Sequence, residues 1–173
     1  MIENLGPDVL AHGAQLREVY TEAFSGPPWG EDPTETARWW ERATADVRRP
    51  GFRAVVARGE RVDGFGFAWT TAAPFPRDRA YRRVLDLLGE DGVARHLVGA
   101  LEVDELAVRP SAQGTGLGRR LLAELVGERP AWLLTARKAV DTVAFYDRVG
   151  WRRAPALPGQ EENPVIVFLS PQD

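Results

Sequence analysis

The residues with the clearest chemical meaning are Gln113-Gly114-Thr115-Gly116-Leu117-Gly118-Arg119. Three glycines in five positions strip side chains from a stretch where the backbone must turn sharply and where something must approach it closely. The apolar run Leu101 to Val108 precedes the turn, and Arg119-Arg120-Leu121-Leu122-Ala123-Glu124-Leu125-Val126, with a helical rhythm, follows it. A strand, a glycine turn and a helix N-terminus aim free backbone N–H groups and the positive end of the helix dipole at one spot. That arrangement suits an anion, most often a phosphate or pyrophosphate. Two well-known phosphate loops do not fit. A Walker loop ends in Gly-Lys-Ser/Thr, whereas Arg119-Arg120 follow Gly118. A Rossmann turn needs a third glycine where Arg119 stands. The pattern that does fit is Gln/Arg-x-x-Gly-x-Gly/Ala, with Gln113, Gly116 and Gly118 in register.

Further residues carry the same pattern in both directions. Asp104-Glu105-Leu106-Ala107-Val108-Arg109-Pro110 leads into the turn. Leu133-Leu134-Thr135 and then Ala144-Phe145-Tyr146-Asp147-Arg148-Val149-Gly150-Trp151 lie downstream. Together these segments resemble the acetyl-CoA motif of the GNAT family of N-acetyltransferases, with its following strand, its helix bearing a Phe-Tyr pair, and the Gly-aromatic that opens the next strand. The resemblance runs from about residue 99 to 154, about a third of the chain. One position departs: Ala139 stands where many members carry Asn, which puts one hydrogen bond on the cofactor side in doubt.

The resemblance implies roles for named residues. Gln113, Gly114, Thr115, Gly116, Leu117, Gly118 and Arg119 would hold the pyrophosphate of acetyl-CoA, and the backbone of Leu106, Ala107 and Val108 would meet its pantetheine arm. Tyr146 would protonate the leaving thiolate, which a phenol with a free pKa of about 10 can do; the alternative is a helix tyrosine packed beside Phe145. Glu102 stands where some members place a general base. Asp104, two residues on, shares its strand face. Both are candidates to take the proton of an attacking amine, against the alternative of plain solvent-facing strand residues. Glu105 points to the other face and is the weaker candidate. Phe24 and Trp29, flanking the stiff loop Ser25-Gly26-Pro27-Pro28, are the expected acceptor contacts. Trp39 and Trp40 either line that site or pack in the core. Glu31, Asp32 and Glu35 either attract a cationic amine or form a solvated acidic helix start.

The elements that must position these groups are legible in outline. Pro7 to Phe24 has a helical rhythm, and Asp32-Pro33-Thr34-Glu35 reads as the start of a helix running to about Val47. Phe52 to Arg58 and Val62 to Thr70 alternate as a hairpin. Arg77 to Leu97 reads as helical, an insertion between the third and fourth strands by the resemblance. Strand 99–108, helix 116–128, strand 131–136, helix 140–149, strand 150–154 and a last strand 165–169 follow. This alternation predicts an α/β fold. The resemblance makes it a three-layer α/β/α sandwich whose mixed sheet splays centrally, between the fourth and fifth strands, to admit the pantetheine.

Composition narrows the function. The 173 residues suit one domain, residues 1–173, with a sizeable core. The formal net charge of −3 argues against nucleic-acid partners. No apolar run approaches a membrane span, and Met1-Ile2-Glu3-Asn4 opens no secretory signal, so cytoplasmic residence is expected. The absence of cysteine removes thiolate metal sites and thiol nucleophiles, and His12 and His96 are scattered, so no metal is expected. The expected function is transfer of an acetyl group from acetyl-CoA to a primary amine, on a small molecule, by direct attack. The alternative is a non-catalytic acyl-CoA sensor or docking domain of the same fold. The family includes both monomers and homodimers, and the sequence does not choose between them.

Overall fold

A computed structural model describes residues 1–171. Seven strands form one mixed, open sheet in the order β1-β2-β3-β4-β5-β7-β6, accompanied among the described residues by five α-helices. The α/β class expected from the alternation is therefore observed. The chain divides into two compact units, Met1–Trp69 with Val103–Gly127, and Thr70–Glu102 with the residues from Glu128 onward.

In the first unit, β1 (Ile2–Asn4), β2 (Arg53–Arg58) and β3 (Val62–Thr70) pair antiparallel, with Glu3 opposite Val56 and Val56 opposite Phe65. β1 was not expected: three residues are too few to show an alternation, and pairing along β2 makes them a strand. The helix expected from Pro7 starts as a 3-10 segment, Gly6–His12, and becomes α1 only at Gly13–Phe24. At Gly13 the missing side chain admits the Trp40 ring, since a Cβ there would lie 2.5 Å from it. α2 (Pro33–Asp46) begins where expected, behind the Asp32 cap. α4 (Leu117–Val126) lies close on β3 because Gly64 and Gly66 have no side chains. A Cβ on Gly64 would meet Leu121 at 2.9 Å, and one on Gly66 would meet Leu125 at 3.0 Å. Leu16, Tyr20, Trp39, Val56, Phe65 and Phe67 form the heart of this unit's core.

In the second unit, α3 (Tyr81–His96) breaks at Gly89, whose φ of 69° no helix contains. The segment therefore forms two helical pieces rather than the single helix its apolar spacing suggested. Leu157 packs against the break, and its N–H donates to the Leu87 carbonyl at 2.8 Å, which docks the polar loop after residue 154. β5 (Ala131–Ala136), α5 (Val140–Arg148), β6 (Arg152–Arg153) and β7 (Val165–Leu169) complete the unit. β5 and β7 pair antiparallel from Trp132–Leu169 to Ala136–Val165. Trp132, Val84, Leu88, Leu97 and Val167 are buried together, and the Trp132 indole N–H donates to the Thr71 hydroxyl at 2.7 Å.

β4 (Leu101–Val108) runs through both units. It pairs in parallel with β5 at Leu101–Ala131 and Glu102–Trp132, and that register ends at Glu102.

Candidate active site

The glycine turn lies wholly in the first unit. Pro110–Ala112 form a short 3-10 turn, and the chain then passes through Gly114 (φ 75°) and Gly116 (φ 78°), both in the left-handed region that side chains disfavour. Gly116 is the N-cap of α4 and offers no capping side chain. The first intrahelical bond runs from the Arg120 N–H to the Gly116 carbonyl at 3.1 Å. The N–H groups of Leu117, Gly118 and Arg119 therefore have no acceptor within the helix. α2 shows the contrast: there the Asp32 carboxylate accepts from the N–H groups of Thr34 and Glu35, at 2.8 and 3.1 Å. No atom lies within 4 Å of where a Cβ on Gly114 or Gly116 would sit, so the turn faces open space. It is braced from behind. The Gln113 amide donates to the Val108 carbonyl at 3.1 Å, and the Thr115 hydroxyl donates to the Ala112 carbonyl at 2.7 Å. These two side chains hold the turn's shape. Leu117 is buried and Arg119 is exposed. Within β4, Ala107 is buried while Leu106 and Val108 are half-buried.

The acceptor-side candidates also gather in the first unit. Phe24 and Trp29 meet edge to face with ring centroids 5.7 Å apart, and Phe24 also meets Tyr20 at 4.7 Å. Trp39 stacks on Tyr20 and is buried, while Trp40 packs over Gly13 and under Arg17, so both tryptophans serve the core. The three acidic residues after the loop separate by role. Asp32 and Glu35 are taken up by the capping box of α2. Glu31 is not: its Oε2 is buried without a hydrogen-bond partner.

Glu105, the weaker candidate by the strand-face argument, lies half-buried on β4 and has a raised proton affinity. Burial, then the charges of Asp104 and Glu31, raise its pKa well above the ordinary glutamate value; Arg42 partly offsets them. Burial, then Glu105 and Glu31, likewise hold the Tyr20 hydroxyl firmly protonated. Sequence reasoning missed this grouping because Tyr20, Glu31, Arg42 and Glu105 come from α1, a loop, α2 and β4. The one signal available was the adjacent acid pair Asp104-Glu105, which places carboxylates on both faces of β4.

The remaining candidates lie in the second unit. Glu102 is 6% exposed and accepts a hydrogen bond from the Tyr81 hydroxyl at 2.7 Å, beside Phe75. Tyr146 is 7% exposed on α5, with Phe145, Trp151 and Phe168 around it at centroid distances of 5.1, 6.0 and 5.4 Å. Ala139, at the departure from the family pattern, is buried and precedes α5 without offering it a side-chain cap. Among the described residues no cluster of His, Asp and Glu could hold a metal ion, and no helix is long and apolar enough to cross a membrane.

An open mixed sheet, a glycine turn behind its fourth strand and an uncapped α4 are what the motif resemblance requires, and residues 55–153 match the acetyltransferase (GNAT) domain. The chain belongs to the GNAT acetyltransferase family. Solved structures show the same fold over nearly their full length. A GNAT-family protein from Desulfovibrio desulfuricans is 20% identical, with a TM-score of 0.65 over 98% of this chain and 97% of that one. The PaiA N-acetyltransferase of Thermoplasma acidophilum, solved with coenzyme A, is 14% identical, with a TM-score of 0.60 over 98% of each chain. An aminoglycoside 6'-acetyltransferase of type Ii is 17% identical, with a TM-score of 0.64 over 100% of this chain and 99% of that one. At such identities the likeness speaks for the fold alone. No curated protein matches this GNAT chain.

Proposed function

We propose that this GNAT acetyltransferase moves the acetyl group of acetyl-CoA onto a primary amine of a small molecule, by direct attack and without an acyl-enzyme. The observation that carries this reading is the uncapped N-terminus of α4 behind two left-handed glycines that face open space. A helix that forgoes its cap leaves N–H groups for an anionic ligand, and the pyrophosphate of the donor suits them. The fold shared with an N-acetyltransferase solved with coenzyme A supports that donor, and the fold shared with an aminoglycoside acetyltransferase supports a small amine acceptor.

In this reading the amine lone pair attacks the thioester carbon, a C–N bond forms and the C–S bond breaks. A backbone N–H of β4 stabilises the oxyanion. The Tyr146 hydroxyl donates its proton to the departing thiolate. Of the three β4 carboxylates, the amine's proton is assigned to Glu105, whose raised proton affinity makes it a stronger base than an ordinary glutamate whenever it is ionised. Glu102 already holds the Tyr81 hydroxyl, and Asp104 acts on Glu105 through its charge. The unpartnered Glu31 oxygen is assigned to the ammonium of the arriving acceptor, with Phe24 and Trp29 beside it. The protein is proposed to act as a single functional domain in the cytoplasm.

Thermal denaturation with acetyl-CoA, CoA and ATP tests the donor. At about a hundred times its dissociation constant, a ligand of the native state adds about 2.7 kcal/mol. For a chain of this size that raises Tm by about 5–10 °C. A shift with both CoA species but not with ATP is expected, followed by thiol release when amines are supplied. No shift with saturating acetyl-CoA would remove the basis of the proposal.

A further inference from the structure

We propose that Arg109 is a positioning residue that locks the donor turn to the helix carrying the acceptor-side residues. This inference rests on the glycine turn being the acetyl-CoA site assigned above. Arg109 is the first residue after β4, and its side chain is only 3% exposed. A buried charge is costly unless it is paired and hydrogen-bonded, and each arm of this guanidinium has its own partner. Nε donates to the Val62 carbonyl at 2.7 Å, Nη2 to Glu18 Oε2 at 3.1 Å, and Nη1 to Glu22 Oε1. The backbone of the same residue makes two further bonds. Its N–H donates to the Asp63 carbonyl, and its carbonyl accepts from the Ala112 N–H, each at 2.9 Å. One residue thus joins the start of β3, two sites on α1 and the first hydrogen bond of the donor turn.

Apart from Arg61, which donates to the Ser111 hydroxyl at 2.9 Å, the turn's side-chain bonds run within residues 108–115 and shape it without tying it to α1. Ser111 and residues 113–116 are exposed, so their placement is inherited largely from the root of the loop. Glu18 and Glu22 stand one helical turn apart on α1 and repel one another unless a cation sits between them. Between them in sequence is Tyr20, and Phe24 follows on the same helix. The guanidinium therefore sets the donor turn and the Tyr20 side of the acceptor cluster against a common anchor, within one compact unit. Lysine keeps the charge but has no fixed fork with which to reach three partners in different directions.

Two variants test the assignment, Arg109→Lys and the double variant Glu18→Gln/Glu22→Gln, which keeps the acceptor oxygens and removes both charges. CoA affinity by calorimetry, acetyl-CoA KM and kcat are measured well below Tm, with Tm recorded on the same samples. The expected result for Arg109→Lys is a rise of about tenfold in the CoA Kd and the acetyl-CoA KM, as misplacement of a binding loop produces. The double variant should move in the same direction by less. An unchanged CoA Kd in both variants, with only Tm lowered, would make Arg109 a stabilising residue and overturn the inference. Failure of the unmodified protein to bind CoA would instead overturn the donor assignment.

Discussion

Replacing Gly116 by aspartate is expected to weaken CoA binding far more than replacing it by asparagine. Both residues tolerate the left-handed conformation that Gly116 adopts at φ 78°, and neither Cβ meets an atom within 4 Å. Steric and conformational costs therefore nearly cancel between the two variants, and the charge remains. A pyrophosphate seated on the N–H groups of residues 117–119 would place about two negative charges about 6 Å from the new carboxylate. Each such pair costs about 0.7 kcal/mol in bulk water and about 2.8 kcal/mol at the effective dielectric typical of a protein surface. The exposed turn lies toward the lower figure, so about 2 kcal/mol in all is reasonable, a gap of about thirtyfold in Kd. Calorimetric titration of both variants with CoA at about 0.1 M salt measures the gap. Raising salt to about 1 M, where the screening length falls to about 3 Å, should close most of it. Equal affinities of the aspartate and asparagine variants at low salt would refute the placement of the anion at this turn.

Two other variants address the chemistry. Tyr146→Phe removes one oxygen and keeps the ring among Phe145, Trp151 and Phe168, so the fold and the acetyl-CoA KM should change little. Steady-state kcat should fall by about a hundredfold or more if the hydroxyl is the acid, and an unchanged kcat removes Tyr146 from the mechanism. Glu105→Gln should abolish most acetyl transfer and also change the pH dependence of stability. Because the folded-state pKa of Glu105 is raised, its proton is held more tightly in the folded chain. The associated stability is full below the ordinary value of about 4.5 and is lost as pH rises through the folded value. The glutamine variant should therefore match the parent in acid and exceed its Tm increasingly toward alkaline pH. A Tm difference that stays flat with pH would contradict the raised proton affinity of this carboxyl.

Much of the molecule was legible in local sequence, and the reasons are physical. The turn at 113–119 declared itself because only glycine occupies left-handed positions cheaply, so Gly114 and Gly116 had to be written where the backbone needed them. Asp32-Pro33-Thr34-Glu35 declared the start of α2 because a capping box is complete within four residues. The continuous apolar runs of β5 and β7 reported strands covered on both faces. Shorter-range information failed where pairing or packing made the decision. β1 is a strand only because β2 supplies its partners, and α3 breaks at Gly89, where Leu157 from a distant loop packs against the bend.

The division is sharpest for the charged groups. The sequence determined that the chain carries a glycine turn of the GNAT kind, since that motif is built from consecutive residues. Only the tertiary structure decided what each carboxyl is paired with. Burial and partner choice are set by segments far apart in the chain. Asp32 and Glu35 cap a helix, Glu102 is held by Tyr81, and Glu18 and Glu22 hold Arg109. Glu105 and Glu31 act electrostatically on Tyr20 with Arg42 opposing them, and α1, a loop, α2 and β4 each contribute one of these four residues. A carboxylate's charge is written in its identity, but its proton affinity is written in its neighbours, and those neighbours exist only once the chain has folded.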